Sequence, residues 1–155
     1  MQCKIIIALY IVVFTKLKYS LMKGVLYLGA PCHLLVCVTQ QKTCERLIQK
    51  AELLRKEISG RLFVIHVAKS EWSFLDNKKE GEALEYLFGI SKSIGADLAV
   101  LRSDDIVHTI VEFIKENKIS IVVVGESPND HTENNFIKEL KRLVSHIEVQ
   151  IIPPL

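Results

Sequence analysis

Glycine is scarce where a nucleotide-binding chain would concentrate it. Of the seven glycines in 155 residues, Gly125 alone follows a β-branched run, so no turn carries the several glycines through which a dinucleotide loop brings backbone amides to phosphate oxygens. Paired acids are missing as well. The turn after the first strand-like segment reads Thr39-Gln40-Gln41, which excludes the divalent-metal chemistry of a phosphoacceptor receiver domain. No GxSxG elbow exists and Ser127 has no base close in sequence, so serine-based hydrolysis lacks its parts. The four cysteines, Cys3, Cys32, Cys37 and Cys44, form no CxxC pair and have no histidine at zinc-finger spacing. A reduced, cytoplasmic protein is the simplest reading, with Cys37 a small core residue and Cys44 at a helix start without a base beside it.

Acidic residues are absent from Met1–Cys32, which holds Lys4, Lys16, Lys18 and Lys23. From His33 onward sixteen basic residues face eighteen acidic ones, a poor footprint for nucleic acid, which favours a clustered basic face. The apolar run Ile5–Phe14 is about half the length that a membrane-spanning helix needs. It has no small-residue cleavage site after it, and Lys16 and Lys18 follow directly. Residues 1–31 are therefore read as a leader that is a short membrane or partner-binding anchor, an extra packed element, or an extension from an upstream start, with Met22-Lys23-Gly24 favouring the last. Membrane contact is expected only if that run is native.

What is present is regular. Residues 32–155, with 49% of the whole chain hydrophobic and 25% charged, suit one domain with a single core. His33–Thr39 is a buried strand, Lys42–Ser59 a helix with Leu47, Ala51, Leu54 and Ile58 on one stripe, Thr43 its cap and Gly60 its close. Arg61–Ala68 is the second strand. Lys69–Lys78 is a longer connection, a lid or a surface patch, in which Trp72 and Phe74 pack over the sheet edge. A helix over about 79–94 turns Leu84, Leu87, Phe88 and Ser91 inward, and Asp97–Arg102 is the third strand. Ser103-Asp104-Asp105 caps the helix Asp105–Asn117, with Ile106, Ile110, Phe113 and Ile114 buried.

Ser120–Gly125 has no polar face and is read as the central strand, covered on both sides. Gly125 lets the backbone turn or approach a ligand, Pro128, Asn129 and Asp130 prolong the loop, and a helix of about 134–145 precedes the last strand, Glu148–Ile152. Strands alternating with helices imply an α/β fold: a single open five-stranded parallel sheet with helices on both faces. Ligands of such sheets sit beyond the carboxyl ends of the strands. The candidate pocket residues there are Thr39, Gln40, Gln41, His66, Gly125, Glu126 and Ser127. His66, in an apolar strand, is more readily a hydrogen-bonded structural histidine, and His108 and His131 pair with nothing at metal spacing. The chain is expected not to be an enzyme.

The stretches LLVCVTQQKTCERLIQKAELL (Leu34–Leu54), RLFVIHV (Arg61–Val67), SDDIVHTIVEFIKENKISIVVVGES (Ser103–Ser127) and EVQIIP (Glu148–Pro153) resemble the universal stress protein domain. The resemblance is to the version inside KdpD-type potassium sensor kinases and to small stand-alone chains of Gram-positive bacteria. It implies an adenine-nucleotide alpha-hydrolase-like sheet of order 3-2-1-4-5, a role in signalling or stress response, and a homodimer through the C-terminal strand. Many members bind ATP through glycine, two residues, glycine, nine residues, then glycine and serine or threonine. Gly125 matches the first glycine, but Pro128 stands at the second and Lys138-Glu139 at the last pair. Proline removes an amide donor and fixes φ, which argues against tight ATP binding. KdpD-type domains that bind cyclic di-AMP use serine-x-serine after the first strand and FTAxY in the second. Thr39-Gln40-Gln41 and Leu62–His66 keep hydrogen-bonding capacity at those positions. The implied ligands are ATP or AMP, bound weakly, or cyclic di-AMP.

Overall fold

The computed structural model describes residues 31–58, 60–71, 73–76, 78–126 and 131–153. The leader expectation therefore falls outside the described residues apart from Pro31, as do Trp72 and the loop 127–130. In chain order the elements are β1 (His33–Cys37), α1 (Gln41–Glu57), β2 (Leu62–Ala68), a 3-10 turn (Phe74–Asp76), α2 (Glu80–Ser93), β3 (Asp97–Arg102), α3 (Ile106–Glu116), β4 (Ile119–Gly125), α4 (His131–Leu143) and β5 (Glu148–Ile152). All neighbouring strands pair in parallel, in the order β3-β2-β1-β4-β5. The expected α/β architecture is the observed one.

The side chains alternate across the sheet with period two. Leu34, Val36, Leu62, Val64, Ile121 and Val123 face α1 and α2, where Leu47, Ile48, Ala51, Ala83 and Leu87 cover them. Leu35, Cys37, Phe63, Ile65, Val122 and Val124 face α3 and α4, under Ile110, Ile114, Ile137 and Leu140. The unbroken apolar run of β4 is thus buried on both sides, as its composition requires. The edge strands β3 and β5 are only partly covered. No helix among the described residues is long and apolar enough to cross a membrane.

Several local expectations are corrected by the structure. Helix α1 begins one residue early, with Gln40 in extended geometry at its N-cap. Thr43 does not cap: it sits within the first turn, and its hydroxyl donates back to the Gln40 carbonyl at 3.3 Å. Phe88 is 54% exposed, because Ala83, Leu87 and Ser91 form the buried stripe of α2; Lys92 Nζ lies 5.7 Å from its ring centroid. Helix α3 is one residue shorter at each end than the expected Asp105–Asn117. Asp105 is the N-cap, accepting from His108 N at 3.0 Å, and the helix has no acid in its first turn. Cys44, set at a helix start, is fully buried, and burial raises its thiol pKa; Cys37 is pushed up to about 12 by the same cause.

Gly60 does not terminate α1 through left-handed geometry. Ile58 is the C-cap, and Gly95 is the one glycine with positive φ among the described residues. A Cβ at Gly60 would come within 2.6 Å of the Cys32 carbonyl carbon and nearer still to its oxygen, so glycine is needed for backbone to pass backbone at the start of β1. In mid-helix α2, Gly89 has open space around its missing Cβ. Urea unfolding should separate the two: Gly60→Ala should lose about 3 kcal/mol or more through unrelieved overlap, and Gly89→Ala should gain about 0.5–1 kcal/mol. Equal effects would refute the packing role.

Candidate functional site

At the carboxyl ends of β1 and β2, between the sheet and helices α3 and α4, opens a cleft of about 940 Å³. Such a cleft forms where the strand order reverses: β1 pairs with β2 on one side and β4 on the other, and the chain leaves in opposite directions. The floor is apolar, from Cys37, Ile65 and Val67 on the sheet and Ile106, Val107 and Ile110 on α3. Gln40 and Asn135 bring amides and Phe136 an aromatic ring. The rim carries Glu71, Asp104, Asp105 and Glu139 with Lys69 and Lys78.

The candidate residues are distributed unevenly about this cleft. Thr39 and Gln40, on the loop between β1 and α1, line it, the first exposed and the second half-buried. Gln41 is the first residue of α1, and its side chain lies outside the described residues, as does Ser127 altogether. Glu126 is exposed, with its amide donating to the Ile152 carbonyl at 2.9 Å. Gly125 remains in β4, paired with Ile152. Its missing side chain points at Leu47 of α1, whose Cδ1 would be 3.1 Å from a Cβ. The sharp turn expected at Gly125 is therefore absent: the residue is extended, and the close approach it permits is to a core leucine.

His66 reaches the cleft wall, yet its ring is engaged elsewhere. Nδ1 lies 2.7 Å from the Val38 carbonyl, and Nε2 accepts the Leu75 amide at 3.0 Å. Since Nε2 accepts, the ring is neutral with its proton on Nδ1, donating to Val38. Leu75 is packed with the α1 and α2 side of the core and holds a left-handed φ of 54°. Phe74 meets the His66 ring edge-on at 5.7 Å and carries the Arg102 guanidinium 4.0 Å above its own centroid. Arg102 pairs with Glu80 at 3.2 Å and donates to the Lys69 carbonyl at 3.1 Å; Glu80 accepts the Phe74 amide at 3.1 Å. The connection after β2 is thus fastened to the sheet edge at several points, with Phe74 packed there as expected.

The residues that sequence reasoning left out of the pocket are those supplied by α3, α4 and the connection. Asp104 was visible at a strand end. Asn135, Phe136 and Glu139 are brought in only by the packing of α4, and periodicity alone carried no sign of it. Among the described residues no group of three histidine, cysteine or acidic side chains is placed to hold a metal ion.

Comparison with known structures gives the arrangement a context. The structure of a universal stress protein from Archaeoglobus fulgidus superposes with a TM-score of 0.60 at 18% identity, covering 79% of this chain and 99% of that one. The fold is that of the universal stress proteins. A universal stress protein from Archaeoglobus fulgidus in complex with dAMP gives 0.55 at 17% identity over 78% of this chain and 97% of that one. A universal stress protein in complex with cAMP gives 0.53 at 16% over 81% and 98%. A putative sensor protein KdpD of Synechocystis is 24% identical over 123 residues, 77% of this chain. This chain spans about a third of that relative, 33% of its length. No family model matches the sequence. The resemblance read from the residues, to universal stress protein domains and to KdpD, is borne out.

Burial lowers the pKa of His66 from its ordinary 6.5, helped by the charge of Arg102 and opposed by the Val38 hydrogen bond. The unfolded chain therefore binds this proton at a higher pH than the folded one. The stabilising contribution is full above about pH 6.5 and is lost as pH falls toward the depressed value. In urea unfolding followed against pH, His66→Leu should cost about 2–4 kcal/mol at pH 7.5 by orphaning two backbone groups. The penalty should shrink below pH 6.5, and a penalty independent of pH would rule out the neutral strut.

Proposed function

We propose that this chain is a non-enzymatic signalling or stress-response module of the cytoplasm, whose cleft binds an adenine-type nucleotide weakly. The observation that carries the reading is the cleft itself. It lies at the reversal point of the sheet and combines an apolar floor with amides on Gln40 and Asn135, which suits a heteroaromatic base held by a few polar groups. That solved proteins of this fold are complexes with dAMP and cAMP supports the ligand class. Against catalysis stands the histidine that lines the cleft among the described residues: both its ring nitrogens are tied to backbone, so it offers no free nitrogen as a general base. Tight ATP binding is disfavoured by Pro128 in the position of a motif glycine.

Calorimetric titration with AMP, ATP and cyclic di-AMP should give saturable binding of at least one, with Kd between about 10 µM and 1 mM. Absence of binding by all three at millimolar concentration would remove the ligand claim, and steady ATP turnover would remove the non-enzymatic one.

A second reading, favoured by β5, is a homodimeric interaction module with a degenerate pocket. Among the described residues this strand ends the sheet and pairs with β4 alone, and it is partly buried along its length, with Val149 and Ile151 reaching the core. An exposed edge of this kind invites a second copy. Light scattering should then show a dimer that Val149→Pro dissociates; a monomer at all concentrations would contradict it.

A further inference from the structure

The rim of the cleft bears on which form of the ligand it takes, and the argument rests on the nucleotide reading above. Among the described residues, four carboxylates, Glu71, Asp104, Asp105 and Glu139, stand there against two ammonium groups, Lys69 and Lys78. Neighbouring cations alter the balance only in part. Arg142 approaches Glu139 at 3.9 Å between two exposed side chains, and Arg102 is committed to Glu80 and to the Phe74 ring. The first turn of α3 faces the cleft through Ile106 and Val107, and a helix start is where a phosphate would ordinarily be received. Here that place is filled from within the chain: Asp105 Oδ1 accepts the His108 amide at 3.0 Å.

We infer that the cleft selects an adenine nucleoside, or its monophosphate, over the di- and triphosphate forms. The apolar floor of Cys37, Ile65, Val107 and Ile110 accepts a base irrespective of its phosphates. Carboxylates at the rim accept hydrogen bonds from ribose hydroxyls, and such charge-assisted bonds are stronger than neutral ones. Each added phosphate brings negative charge toward the same carboxylates, which opposes binding at short range and is weakened by salt.

The test is a titration of the whole chain with adenosine, AMP, ADP and ATP in magnesium-free buffer, at low salt and at about 0.5 M salt. Adenosine or AMP should bind at least about tenfold more tightly than ATP at low salt, and the gap should narrow at high salt. Asp104→Asn combined with Glu139→Gln should raise ATP affinity at least about threefold and leave adenosine within about twofold. Glu71→Gln, at an exposed loop position, should act in the same direction should the double variant not fold. ATP binding as tightly as adenosine, or more so, overturns the selectivity and leaves the nucleotide reading standing. No binding by any of the four overturns the selectivity, and failure of cyclic di-AMP as well overturns the nucleotide reading with it.

Discussion

Burial of β1 and β4 on both faces is the constraint from which the arrangement of this protein follows. Leu34, Leu35 and Val36, and across from them Val122 and Val123, have no exposed surface, and none of their backbone amides can turn to water. Parallel ladders to β2 and β5 on the outer sides and to each other in the middle satisfy those groups. With both faces taken by helices, polar chemistry is confined to the carboxyl edge, where the strands run out and the loops begin. The cleft lies at that edge, beyond the carboxyl ends of β1 and β2.

His66 is the exception that this constraint has to accommodate. A polar ring in a strand otherwise buried along its whole length is costly without partners. Its two nitrogens therefore settle on backbone groups from two different segments, one at the end of β1 and one in the connection after β2. The same bonds hold Leu75 in a left-handed conformation that a leucine rarely adopts. Its side chain is buried as a consequence, and Phe74 is left at the sheet edge to stack under Arg102. A buried neutral histidine thus gives one wall of the cleft its shape without lending it a free ring nitrogen.

Much of this was readable from residue order alone. The largely apolar runs at Leu34–Val38, Phe63–Val67 and Ile121–Val124 announce doubly covered strands, and the helices between them force parallel pairing. The errors share one cause. Phe88 is larger and more apolar than Ala83, but the stripe of α2 is phased by Ala83, Leu87 and Ser91, and a short periodic pattern does not say which of two adjacent residues faces in. Gly60 and Gly125 carry no local sign that the atoms crowding them belong to Cys32 and Leu47. The cleft was half legible: its strand-end residues Thr39 and Gln40 were named, and its far wall on α4 was not, since a helix that follows the last loop can pack in more than one rotation.

Gly125 shows why the remaining motif glycine is weak evidence about phosphates. A glycine at the end of a strand can serve a ligand or a neighbour. Here it sits in extended geometry, still bonded to β5, with a leucine of α1 against the space its side chain would occupy. That packing lies on the α1 side of the sheet, whereas the cleft opens on the α3 and α4 side. Packing against Leu47 is reason enough for glycine here, whether or not a ligand is bound. On the proposed reading, ligand choice would therefore rest with the groups that ring the cleft and not with this glycine: an apolar floor suited to a flat ring, amides that could orient it, and carboxylates at the rim that would oppose each further negative charge.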